Sequence, residues 1–142
     1  MNKIEERITS SPTETKEFAK ALAKAITPPK ILALFGGLGA GKTTFIQGLA
    51  KGLGIEGRVL SPTFVFVRTY QLEAGTRFYH VDLYRLESEK DVETVGISEI
   101  LGDKNAIIAI EWPEKIKNLL PKGTIRIKIK ELDETKRKLT FY

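Results

Sequence analysis

Cysteine is absent from this chain, which removes disulfide bonds and thiolate metal centres. A single histidine, His80, rules out a zinc site built from several histidines. No apolar run approaches the roughly 20 residues of a membrane span. The first seven residues, MNKIEER, lack the apolar core of a signal peptide, so the expected location is the cytoplasm. Internal repeats, low-complexity segments and linker-like stretches are also missing, and residues 1–142 are expected to form one domain. A chain of that size buries roughly two-thirds of its unfolded surface, enough for a core. Acidic residues are outnumbered 18 to 23, for a net charge of +5. Much of the excess lies in Arg126, Lys128, Lys130, Lys136, Arg137 and Lys138. These read as solvated positions that blunt an edge strand, the other reading being contact with RNA or an acidic partner.

What is present is more specific. Gly36-Gly37-Leu38-Gly39-Ala40-Gly41-Lys42-Thr43 fills every required position of the phosphate-binding pattern G-x-x-x-x-G-K-[ST]. The continuous apolar run Ile31-Leu32-Ala33-Leu34-Phe35 leads into it as a buried parallel strand would. Phe45, Leu49 and Leu53 then recur every four residues, as on one helix face. Glycines let the backbone approach phosphates with no Cβ in the way, and successive N–H groups form an anion nest at a helix N-terminus. Lys42 is expected to reach the β- and γ-phosphates, and the Thr43 hydroxyl to ligate magnesium. Thr44 offers its hydroxyl or amide to the α-phosphate. The chain is thus expected to bind a nucleoside triphosphate.

The rest of the pattern is α/β. Ser11-Pro12-Thr13-Glu14 reads as a capping box with proline at the first helical position, and Phe18, Leu22 and Ile26 mark that helix's face. Residues 64–72 and 77–84 read as an antiparallel hairpin around the turn Glu73-Ala74-Gly75-Thr76. A capped helix is expected over 89–95, with a restart near Ser98. Ala106-Ile107-Ile108-Ala109-Ile110 is a second buried parallel strand, followed by a short helix over 114–120. Ile125, Ile127 and Ile129 alternate with cations, and Leu139 and Phe141 repeat the alternation. The expected fold is a three-layer P-loop NTPase type with a mixed, largely parallel central sheet and an antiparallel hairpin.

Several further residues carry chemistry. Glu111 ends the second apolar run at the carboxyl edge of the sheet, where ligands bind, and is expected to hold magnesium opposite Thr43. Asp82 ends the neighbouring run, where it orients or deprotonates an attacking water, unless it is taken up by Arg85. His80 shares the Asp82 face and reads as a hydrogen-bonded, half-buried side chain, with a phosphate or partner contact as the alternative. Thr63, beside Ser61, lies in a loop that is either a simple turn or a switch near the γ-phosphate. Trp112 reads as core or rim, or as a cover over the nucleotide. No N-K-x-D stretch is present to read guanine, which favours ATP. No arginine stands out to neutralise the γ-phosphate, Arg58, Arg68 and Arg85 being the ones left to consider. Such an arginine contributes about 10³–10⁵ in rate, roughly 4–7 kcal/mol of barrier. Slow hydrolysis alone, accelerated by a partner, is the expectation.

The set of motifs resembles one family. The loop through Phe45, Ser61-Pro62-Thr63-Phe64, His80-Val81-Asp82-Leu83-Tyr84-Arg85 and Ile110-Glu111-Trp112-Pro113-Glu114 occur in the order and spacing of TsaE (YjeE) proteins, over roughly residues 8–130. The resemblance implies a magnesium–ATP site, with ADP as product, and a weak ATPase that is not itself a transferase. It implies partnership with TsaD- and TsaB-like proteins, which transfer a threonylcarbamoyl group to an adenosine of tRNA. Contact with tRNA would be indirect, through that complex. Residues 39–44 would bind phosphates, Thr43 and Glu111 serve magnesium, and Lys42, Asp82 and Thr63 support hydrolysis. Trp112 would lie by the nucleotide, and Pro12 to Thr15 where the family's N-terminal part nears the adenine. This chain departs at Gly37, where the family usually carries an acid, and mildly at Phe64 and Val81. A small-metabolite kinase and a non-catalytic nucleotide-dependent assembly switch are the competing classes.

Overall fold

The two continuous apolar runs lie side by side at the centre of one sheet. In the computed structural model, residues 5–57, 59, 66–88, 91–92 and 96–142 are described. The strands are β1 (Glu5–Thr9), β2 (Lys30–Phe35), β3 (Val67–Gln71), β4 (Arg77–Asp82), β5 (Ala106–Glu111), β6 (Ile125–Glu131) and β7 (Arg137–Phe141). The α-helices are α1 (Pro12–Ala23), α2 (Lys42–Gly52) and α3 (Ile97–Leu101), with 3-10 segments at Glu73–Gly75 and Pro113–Leu119.

The strand order is β1-β7-β6-β2-β5-β4-β3. β2 pairs in parallel with both β5 and β6, and β5 with β4. The outer pairs β1–β7, β6–β7 and β3–β4 are antiparallel. The sheet is therefore parallel at its centre and antiparallel towards both edges, as the runs and alternations of the sequence imply.

Two cores cover its faces. On one, α1 and α2 pack over Leu32, Leu34, Ile107, Ala109, Ile127 and Leu139. On the other, Leu83, Leu86, Ile97 and Ile116 pack over Ile31, Val81, Ile108 and Ile110. Phe45 and Leu49 are fully buried, as their spacing requires, each contributing about 1.5–3 kcal/mol of burial as an upper bound. α1 starts as predicted: Ser11 Oγ accepts from the Glu14 amide at 3.1 Å, with Pro12 in the first turn.

Three readings change. β1 was not expected, and it forms the far edge against β7. The predicted short helix at 114–120 is instead a 3-10 segment, kinked at Ile116. The helix expected over 89–95 lies largely outside the described residues. The basic residues of β6 do not blunt an edge, because β6 lies between β7 and β2. Lys128 and Lys130 are exposed there, on an open face of the sheet. Among the described residues, no helix is long and apolar enough to cross a membrane.

Candidate nucleotide site

Parallel pairing brings three chain segments to one sheet edge. Glu111 stands opposite Leu34 of β2 on one side and Asp82 of β4 on the other. The Gly36–Thr43 loop leaves β2 at the same edge and enters α2. Between them is a cavity of about 410 Å³, lined by residues 38–44 on one wall and by Asp82, Tyr84, Glu111 and Trp112 on the other. This is the carboxyl end of the parallel strands, where open α/β sheets bind ligands.

The loop is held in shape by its glycines and its neighbours. A Cβ at Gly36 would meet the Ile129 carbonyl oxygen of β6 at 2.7 Å, so the chain passes β6 only without a side chain there. Gly41 has φ +107°, in the left-handed region, and caps α2. The Phe45 amide donates to the Gly41 carbonyl at 2.9 Å, closing the first helical turn.

Lys42 is 5% exposed. Its Nζ donates to the Gly36 carbonyl at 2.7 Å and lies 3.4 Å from the centre of the Trp112 ring. Burial pushes its pKa below the ordinary lysine value, against the opposing pull of Glu111, Glu114 and Asp82. Trp112 itself has φ +61°, an uncommon conformation for a bulky residue and one that clusters at functional sites. Its ring lies 5.1 Å from that of Tyr84. Lys115 Nζ ties this wall together, donating to the carbonyls of Tyr84 at 3.0 Å and Leu86 at 2.6 Å.

Glu111 is nearly fully buried and both its oxygens are engaged. Thr43 Oγ1 donates to Oε1 at 3.1 Å, and His80 Nε2 lies 2.7 Å from Oε2. By giving its proton to Glu111, the Thr43 hydroxyl keeps its oxygen lone pairs free for a cation. Asp82 Oδ1 accepts from the Tyr84 amide at 3.0 Å.

The loop and the paired acids lie within the span of a family model. The model for "Threonylcarbamoyl adenosine biosynthesis protein TsaE" aligns with residues 9–139. The chain belongs to the TsaE family. It is 40% identical to the tRNA threonylcarbamoyladenosine biosynthesis protein TsaE of Bacillus subtilis (strain 168), over 94% of this chain and 82% of that protein. It is 42% identical to the protein of that name from Rickettsia bellii (strain RML369-C), over 92% and 89%. The crystal structure of Bacillus subtilis YdiB superimposes with a TM-score of 0.81 at 34% identity, covering 99% of this chain and 86% of that one.

Against this TsaE-family frame, the structure brings Gly39, Ala40, Gly41, Lys42, Thr43, Thr44, Asp82, Glu111 and Trp112 together around one cavity. Pro12 and Thr15 are not part of its lining. The Thr15 hydroxyl is buried, 2.6 Å from that of Thr9 and donating to the Ser11 carbonyl, so it ties β1 to α1. His80 is fully buried rather than half-buried. Thr63, Ser61 and Arg58 lie outside the described residues. Gly37 has open space around its Cβ position, so nothing in the packing forbids a side chain there.

Arg137, at the start of β7, belongs to the basic carboxyl end, and its position in the sequence does not signal its contacts. Its Nε donates to the Ala40 carbonyl at 2.9 Å, and its Nη2 reaches the Gly39 carbonyl at 3.4 Å. Nη1 donates to the carbonyls of Asp133 at 2.8 Å and Lys136 at 3.0 Å. One guanidinium thus ties the phosphate-loop backbone to the β6–β7 turn. No local motif marks it, because the contact spans 97 residues.

Proposed function

We propose that this chain binds Mg–ATP in the cavity between residues 38–44 and the Asp82–Glu111 pair, and hydrolyses it slowly to ADP. We propose further that this hydrolysis supports threonylcarbamoyl transfer to an adenosine of tRNA, in partnership with TsaD- and TsaB-like proteins; the relatives are named for tRNA threonylcarbamoyladenosine biosynthesis. Contact with tRNA is through that complex, in the cytoplasm.

The observation that carries the reading is the Thr43–Glu111 hydrogen bond across the sheet edge. It joins a hydroxyl with free lone pairs to a carboxylate, the donor set that magnesium takes alongside phosphate oxygens. Among the described residues, no group of three or more histidine or acidic side chains is arranged to hold a metal unaided. That suits an ion carried in with its nucleotide better than a resident one. Thr43 and Glu111, the latter directly or through water, would hold this ion. It would neutralise charge building on the β- and γ-phosphate oxygens.

The chain's own groups supply the remainder. Amides of residues 39–44 cradle the phosphates. Lys42 is already in the cavity wall, and exchanging the Gly36 carbonyl for a phosphate oxygen replaces a neutral acceptor with an anionic one. That exchange also offsets the burial of its charge. Asp82, fixed by the Tyr84 amide, takes the proton of the attacking water. Among the described residues no arginine lines the cavity, and a partner supplying one would account for stimulated hydrolysis.

Reconstitution tests this. ATP consumption and modified tRNA are measured with and without TsaD- and TsaB-like proteins over several catalytic cycles. The expected result is slow turnover alone, stimulation by the partners, and modified tRNA accumulating only with the chain present. Ordinary fast turnover by the isolated chain, or unchanged tRNA modification without it, contradicts the reading.

A further inference from the structure

We infer that His80 is a positioning residue for magnesium-bound nucleotide: it fixes the Glu111 carboxylate in the orientation in which that group and Thr43 face the cation. The inference rests on the proposed reading of Glu111 and goes beyond it, since nothing in the sequence motif says what the imidazole does.

The argument begins with burial. His80 is fully buried in β4, one strand from Glu111, with which its neighbour in register, Ala109, shares β5. Its Nε2 lies 2.7 Å from Glu111 Oε2. Its Nδ1 is buried and has no hydrogen-bond partner among the described residues. Among the described residues, the one polar contact that anchors the ring is therefore Glu111. A histidine kept for packing or for tying backbone together would spend both nitrogens on the scaffold. An apolar side chain would fill the same space with no buried polar atom left over.

A carboxylate turning about its last bond presents its two oxygens interchangeably. Here the two are distinguished. Oε1 receives Thr43 from the loop, and Oε2 receives His80 from the sheet. Because a carboxylate only accepts, Nε2 carries the hydrogen, which also fixes the ring's tautomer. With Oε2 held from behind, turning the carboxylate plane costs the bond to His80. The lone pairs of Oε1 not used by Thr43 stay directed towards the cavity. Outer partners that orient a metal's ligands in this way typically change metal affinity by about 10–100-fold.

The test uses the full chain with ADP and Mn²⁺, the manganese followed by electron paramagnetic resonance. His80→Leu removes the donor, and His80→Gln places an amide N–H near the position of Nε2. In His80→Leu, Mn²⁺ affinity in the presence of ADP is expected to fall about 10–100-fold, while ADP affinity in EDTA is unchanged. His80→Gln is expected to recover most of the loss. Equal Mn²⁺ affinity in His80→Leu and the unsubstituted chain overturns the inference. So does a parallel fall in ADP affinity without metal, which marks a merely structural role. A chain with no Mn²⁺ uptake in the presence of ADP, before any substitution, overturns the proposed function and this inference together.

The wild-type chain provides a second measurement that needs no variant to fold. His80 is its only histidine, so every imidazole nitrogen signal belongs to it. Nitrogen-15 spectra are expected to show a protonated Nε2 both in the free chain and with Mg–ADP. An unprotonated Nε2 in either state contradicts the inference.

Discussion

The Lys42 ammonium lies 3.4 Å from the centre of the Trp112 ring while bonded to the Gly36 carbonyl. The lysine of the loop is thus stored against the aromatic that ends the opposite wall, and a cation over an indole is attracted by about 0.5–2 kcal/mol. Trp112 is the only tryptophan. Its fluorescence should therefore change saturably as Mg–ADP draws Lys42 away. Lys42→Met should remove that response and shift the emission of the free protein. An emission spectrum indifferent to both changes would refute the stored-lysine arrangement.

Asp82→Asn should separate binding from hydrolysis. Asp82 is held by the Tyr84 amide at the cavity edge, and the Asn carboxamide oxygen can accept the same bond. ATP affinity should stay within about threefold, while single-turnover hydrolysis falls about 10²–10⁴-fold. Comparable losses in both would show that Asp82 shapes the pocket rather than handling the proton.

Arg137→Met tests the clamp on the loop. The methionine keeps the apolar stem but loses the bonds to the Ala40 and Gly39 carbonyls. Charge-assisted bonds of this type are worth about 1.5–3 kcal/mol each before the loop relaxes. A net loss of one to two kcal/mol corresponds to a roughly 5–30-fold weaker ADP affinity. Adenosine, which lacks phosphates, should bind both proteins alike. Equal losses for adenosine and ADP would mean the substitution disturbs more than the loop.

Far from the cavity, Arg77 and Asp103 set an acid limit on stability. Arg77 Nε and Nη2 donate to the two Asp103 oxygens at 2.8 and 3.1 Å, and the Tyr79 hydroxyl adds a bond of 3.0 Å. Arg77 first, then the Asn105 amide, hold the Asp103 carboxyl down at about 2, from 3.8. A carboxyl with its folded pKa below the unfolded value stabilises fully above the unfolded value. That stability is lost as pH falls towards about 2. The melting temperature should fall between about pH 4 and pH 2, and more steeply than in Asp103→Asn. Parallel curves would count against the pairing.

What the sequence made legible was local or strongly patterned. β2, the glycine loop and α2 follow one another within the span of a motif. The run ending at Glu111 reads as a strand buried on both faces, and β5 is buried along its whole length. Ser11 and Pro12 marked the start of α1. The features that were missed depend on distant partners. Glu5-Glu6-Arg7-Ile8-Thr9 has no apolar alternation, because only Thr9 is buried and its strand exists through pairing with β7. Arg137 looked like any surface cation until β7 brought it beneath Ala40. His80 shares the Asp82 face by the two-residue period of β4, but its full burial depends on how β4 is covered. A short helix after Pro113 was a reasonable expectation from composition; the segment is 3-10 instead, with non-helical dihedral angles at Ile116 that no local sequence signal marks.

Calorimetry of ATP binding, with and without Mg²⁺, to the wild-type chain and to Thr43→Val tests the central claim most directly. The account predicts one site in the wild-type chain whose affinity rises with Mg²⁺. In Thr43→Val, ATP should bind in EDTA with the wild-type affinity and gain nothing from the metal. No heat from the wild-type chain, or an undiminished gain from Mg²⁺ in Thr43→Val, would contradict it.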